Sequence, residues 1–159
     1  MANSALLARR FAVFCALGLW IGGTTLYTGF VIKIAHRLLP GGKFGLVTRD
    51  VTGAINLIGV AALAVLLVNL VAEWRPQGRI VRWGGAGSWA VCALTLGVQF
   101  GLRSALAGLM GSPDRARFDR LHEAYEMATA IQWFAGMVHG GCVLAAWRRS
   151  DGATRDRTG

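Results

Sequence analysis

Four stretches of this chain carry no Asp, Glu, Lys or Arg: Phe11–Ile32, Val51–Ala72, Trp83–Leu102 and Met127–Trp147, which are 22, 22, 20 and 21 residues long. A helix rises ~1.5 Å per residue, so each run can cross the ~30 Å of hydrocarbon in a bilayer. A helix on a water-soluble bundle would show a charge every few residues along its wet face. The expected fold is therefore all-α, an integral membrane up-down-up-down four-helix bundle. A single domain is expected over residues 1–149, with spans at about 11–32, 51–72, 83–102 and 121–147. The remaining residues, 150–159, form a polar tail whose composition predicts no fixed structure.

More than half of the 159 residues are hydrophobic, yet the formal net charge is +9, so charge and apolar surface must be segregated. Arginine falls in the connections and termini, where it anchors span ends against headgroup phosphates. No run of basic residues is interleaved with aromatics, which argues against a nucleic-acid partner; the expected partner is the bilayer. The N-terminal "LLARRFAVFCALGLWIGG" has the basic start of a secretory signal. Its apolar run is too long, and lacks a small-x-small cleavage site before Lys33, so it reads as a retained first span. The side holding both termini carries nine basic residues and the opposite side eight, a slight bias. Arg9 and Arg10 directly precede the first span, which places both termini in the cytoplasm of a multi-pass plasma (inner) membrane protein.

Within the connections, Pro40-Gly41-Gly42 predicts a turn, as does the Arg75-Pro76-Gln77-Gly78 stretch. Ser112 is the expected cap of the last helix, with Pro113 at its first position and Asp114 favoured by the helix dipole. A helix from Pro113 to Arg149 would be 37 residues, or ~55 Å, and must stand proud of the membrane or lie along it. Gly-x-x-x-Gly occurs at Gly18/Gly22, Gly97/Gly101 and Gly136/Gly140. Such pairs let helix backbones approach closely, within one bundle or between a protein and its membrane partner or second copy.

The candidate polar site lies at the start of the last helix. At 100° per residue, Arg115, Asp119, His122, Glu126 and Thr129 form one stripe. His122 thus has a carboxylate one turn before it and another one turn after. Glu126, nearest the hydrocarbon, needs a partner or water. In the expected topology His36 and Arg103 reach the same non-cytoplasmic side, with Arg103 the natural partner of Glu126. The plain reading is an interfacial anchor; the functional one is a mouth that binds an ion, a proton or a lipid headgroup. No catalytic motif is present, so no enzymatic activity and no cofactor are expected.

Deeper in the spans, His139, Cys142, Cys92 and Cys15 lie in the half nearer the termini. Thiols with an imidazole suit copper(I), the alternative metal reading. Helix packing is the plainer one, with His139 bonded to Gln99, Thr24 or Asn56. An odd number of cysteines within hydrocarbon argues against a disulfide framework. Haem b needs two axial histidines at one depth, for which His36 and His122 are the candidates.

"LWIGGTTLYTGFVI", "LLPGGKFGLV" and "FDRLHEAYEMATAIQWFAG" resemble, in that order, segments of the transmembrane protein 205-like family (domain of unknown function 4149). The matching positions are Trp20, Gly22, Gly23, Phe30, Leu39, Pro40, Gly45, Phe118, Leu121 and His122, with Leu102-Arg103 at the end of the third span. The resemblance covers nearly the whole chain from Trp20. It implies a small four-helix membrane protein and brings no established activity with it. Thr129 stands where that family often has Asn. The chain also resembles, more distantly, copper-resistance D-type membrane proteins.

Overall fold

The computed structural model describes residues 2–39, 42–74, 78–109 and 113–155. Those residues are all-helical, without a strand, and contain four helices long and apolar enough to cross a membrane. Helix α1 covers 2–38 and alternates α-helical segments (Ala2–Leu17, Gly23–Leu26, Ile32–Leu38) with π-helical ones (Gly18–Gly22, Tyr27–Val31). Helix α2 spans Gly42–Ala72, α3 Arg79–Gly108 and α4 Arg115–Arg155.

The helices run past the apolar stretches. Helix α1 continues to Leu38 and α2 begins at Gly42, so most of the long first connection is helical. The turn expected at Pro40 and Gly41, and the residues 75–77 of the second turn, lie outside the described residues. Gly78 precedes α3 in extended backbone. The expected Ser112 cap also lies outside the described residues; Asp114 caps α4, its carboxylate accepting from the Arg117 amide at 3.1 Å.

Helix α4 continues to Arg155, while 156–159 lie outside the described residues. The first two residues of the polar tail, Ser150 and Asp151, make tertiary contacts. Arg10 donates to both Asp151 carboxylate oxygens, at 2.7 and 3.1 Å. Ser150 Oγ donates to Glu73 Oε2 at 2.7 Å, and Arg9 pairs with Oε1 of the same carboxylate.

The apolar core joins Val13 and Trp20 of α1, Ala62, Leu63 and Leu66 of α2, Cys92 and Leu96 of α3, and Val143 of α4. Trp20 fits because position 59 is glycine: a Cβ there would lie 2.7 Å from the indole nitrogen. Leu19, Leu26, Phe30, Leu57, Val68, Leu94 and Leu144 are exposed on the outside. This apolar-out pattern suits contact with acyl chains rather than water.

Of the three Gly-x-x-x-Gly pairs, only Gly136/Gly140 packs as expected, receiving the Ile21 and Leu17 side chains of α1. Gly18/Gly22 and Gly97/Gly101 have open space where a Cβ would be. They do not bring helices of this chain together.

Where α3 meets α4 the contact is polar. Ser88, Cys92, Thr95 and Gln99 recur every third or fourth residue of α3 and are all buried. Gln99 Nε2 donates to Thr129 Oγ1 at 3.1 Å and to Gln132 Oε1 at 3.2 Å. Gln132 Nε2 in turn donates to the Cys92 carbonyl at 3.4 Å. In an apolar surround such bonds hold helices together because the unpaired alternative is costly. Gln99→Leu removes both donations and leaves Gln132 Oε1 without its donor. We expect a loss of about 1–2 kcal/mol, measured by thermal unfolding in detergent; an unchanged melting temperature would deny this seam its role.

Candidate functional site

The second half of α1 packs sparsely against its neighbours, and a cavity of about 700 Å³ opens beside it, against α2 and α4. Two backbone features accompany the separation. The π-helical turn Tyr27–Val31 lies in this half and widens the helix. Thr24, Thr25 and Thr28 donate to the carbonyls of Trp20, Ile21 and Thr24, each at 2.8 Å. Hydroxyls bonded back to i−4 carbonyls also bend helices.

The cavity is amphipathic. Ile32, Ile55, Phe44 and Phe134 supply apolar wall. Deeper polar atoms come from Asn56, Gln99, Thr129 and Gln132, of which the first, second and fourth are buried. Asn56 Nδ2 donates to the Tyr125 hydroxyl at 3.5 Å, and Trp133 Nε1 donates to Thr25 Oγ1 at 2.8 Å, crossing from α4 to α1.

The ionisable mouth expected from sequence is brought together in part. His36, His122 and Glu126 all line this one cavity. His122 Nε2 lies 3.3 Å from Glu126 Oε1, with both side chains about half exposed or more. Phe118 stacks on the His122 ring at 6.0 Å, and Phe44 meets the His36 ring edge-on at 5.2 Å. Asp119 is exposed and is not part of the cavity wall.

Arg103 is placed differently from expectation. Its Nη2 donates to the Arg49 carbonyl at 3.3 Å, and its guanidinium lies across Gly53, where any Cβ would displace it. Glu126 takes His122 as its partner instead, because both sit one turn apart on α4 whereas Arg103 is drawn to α2.

The deeper constellation is also rearranged. His139 is buried, and its Nδ1 lies 3.2 Å from Ser88 Oγ and 3.1 Å from the Gly85 carbonyl, not beside Gln99, Thr24 or Asn56. Cys142 shares a small cavity with it. The Cys92 thiol donates instead to the Gln132 carbonyl at 3.7 Å, and Cys15 does not line that cavity. Among the described residues no three His, Cys, Asp or Glu side chains are grouped to hold a metal. The set of His139, Cys142, Cys92 and Cys15 is therefore not assembled.

One group escaped the sequence reading: Glu73, which is 4% exposed and held by Arg9 and Ser150. A carboxylate directly after a 22-residue apolar run, on the same side as Arg9, was the available signal.

No family model, curated protein or solved structure matches this chain.

Proposed function

We propose that this chain is a multi-pass protein of the plasma membrane with an up-down-up-down bundle and cytoplasmic termini. In this reading it is not an enzyme; it binds one small amphipathic molecule between α1, α2 and α4, in an accessory or transport-linked role. The observation that carries this is the cavity itself, about 700 Å³ with ionisable groups at one part and amides at another, on an apolar wall. Pockets of this size and mixed lining are typical of small-molecule sites. Ionisable groups such as Glu126 at the edge of an apolar run, lining a cavity, mark ligand or ion sites.

The ends of the helices on the side of the termini support a membrane interface there. Arg10 lies over the Trp147 ring and Arg82 over Trp74, each at 5.3 Å, with Trp83 against Trp74. Arginine and tryptophan together are the residues of a membrane interface. Membership of the transmembrane protein 205-like family belongs to the same proposal and rests on the motifs around Trp20, Pro40 and His122.

The test is native mass spectrometry of the protein extracted in mild detergent. We expect one amphipathic adduct per chain, reduced roughly tenfold, or ~1.4 kcal/mol, in Ala130→Phe. That substitution pushes a ring into the cavity and touches none of its hydrogen bonds. Absence of any adduct on the wild-type protein, or equal occupancy in the variant, would overturn the reading.

One observation favours a second reading, haem b: both His36 and His122 line this cavity. Against it, His122 Nε2 is turned to Glu126. A Soret band in the purified protein, lost on His36→Ala, would replace the first reading with this one.

A further inference from the structure

A second, much smaller cavity lies at the junction of α2, α3 and α4. It measures about 10 Å³ and is lined by Asn69, Leu70, Gly85, His139, Cys142 and Val143. Two of its lining residues, His139 and Asn69, are each 1% exposed. Each also has a buried polar atom without a partner among the described residues: His139 Nε2 and Asn69 Oδ1.

The hydrogen bonds around His139 decide what these atoms need. Ser88 Oγ and His139 Nδ1 lie 3.0 and 3.1 Å from the Gly85 carbonyl, an oxygen that only accepts. An Nδ1 lone pair would face the lone pairs of that oxygen at 3.1 Å, whereas an Nδ1 hydrogen is accepted by it, with Ser88 Oγ at 3.2 Å. Nδ1 must therefore carry a hydrogen. In the neutral imidazole Nε2 is then a lone pair, and Asn69 Oδ1 is a lone pair also. Two buried acceptors on one cavity call for a single occupant with two hydrogens to give.

We propose that this cavity binds one ordered water molecule, which donates to His139 Nε2 and to Asn69 Oδ1. The volume is that of about one water-sized sphere, and two polar partners are the minimum a buried water requires. A neutral occupant also avoids placing charge in the apolar interior. The water ties α2 to α4 at the level where Ser88 and Gly85 tie α3 to α4. It extends the polar seam from His139 to Asn69, one turn before Glu73. A soft cation is the rival occupant, since Cys142 is on the wall, but only one imidazole and one thiol line the cavity.

Nitrogen NMR of the full chain, labelled with [15N]histidine and reconstituted in lipid nanodiscs, tests this on the wild-type protein. The His139 signals are those that persist in His36→Gln/His122→Gln. The expected result is one protonated nitrogen at Nδ1, one hydrogen-bonded acceptor at Nε2, and magnetisation transfer from water to the ring. Three outcomes overturn the proposal. The first is a doubly protonated ring. The second is an Nε2 signal displaced by stoichiometric bound metal and restored by a chelator. The third is transfer to Nε2 from the Asn69 amide protons without water, which would mean that the side chain donates directly.

Discussion

Trp20→Ala is expected to destabilise the protein by about 3–5 kcal/mol, the range for removing a large buried aromatic. Trp20 is 1% exposed and belongs to the core cluster to which all four helices contribute. Its indole rests on Gly59, so the loss should be approached from the other side as well: Gly59→Leu would drive the ring out of its seat. Thermal unfolding in detergent, followed by size-exclusion chromatography, reads both. Melting temperatures within a degree or two of wild type would mean that α1 is held by something other than this contact. Because the cavity beside α1 depends on where that helix sits, both variants should also weaken retention of the amphipathic molecule proposed to bind there.

Arg9→Ala is expected to cost about 3 kcal/mol, near the lower end for breaking a buried ion pair. Glu73 is 5% exposed in its side chain, and Arg9 25%, so removing the arginine leaves a buried carboxylate with Ser150 as its remaining partner. The effect should be asymmetric. Glu73→Gln keeps an acceptor for Ser150 and removes the charge, so it should be milder. The double variant Arg9→Met/Glu73→Leu should recover much of the loss, since apolar side chains need no desolvation. Asp151→Ala provides the contrast: its side chain is 53% exposed, and its pair with Arg10 should contribute less than about 1 kcal/mol. Equal shifts for Arg9→Ala and Asp151→Ala would show that burial of Glu73 is not what fastens the termini.

These two predictions concern contacts of different legibility. Arg9 and Glu73 each stand at the edge of an apolar run, yet their pairing joins residues 64 apart in sequence. Trp20 is conspicuous in sequence, but nothing local identifies Gly59 as its seat. The same holds at the site. His122 and Glu126 are one turn apart on one helix, so helical spacing alone brings them together. Arg103 comes from another helix, and its choice of the Arg49 carbonyl over Glu126 depends on how α2 and α3 cross.

The sequence by itself determined that the chain is helical and that four of its segments can cross a bilayer. The reason is that charge is excluded from runs of a length set by hydrocarbon thickness. It also determined the His122/Glu126 stripe, because 3.6-residue periodicity is a local property. Only the tertiary structure decided that the Gly18/Gly22 and Gly97/Gly101 pairs face outward, that the tail extends α4, and that His36 shares a cavity with His122. Periodicity says which residues share a face of one helix. What that face meets depends on interhelical packing, a sum of many small non-local contacts that no single segment encodes.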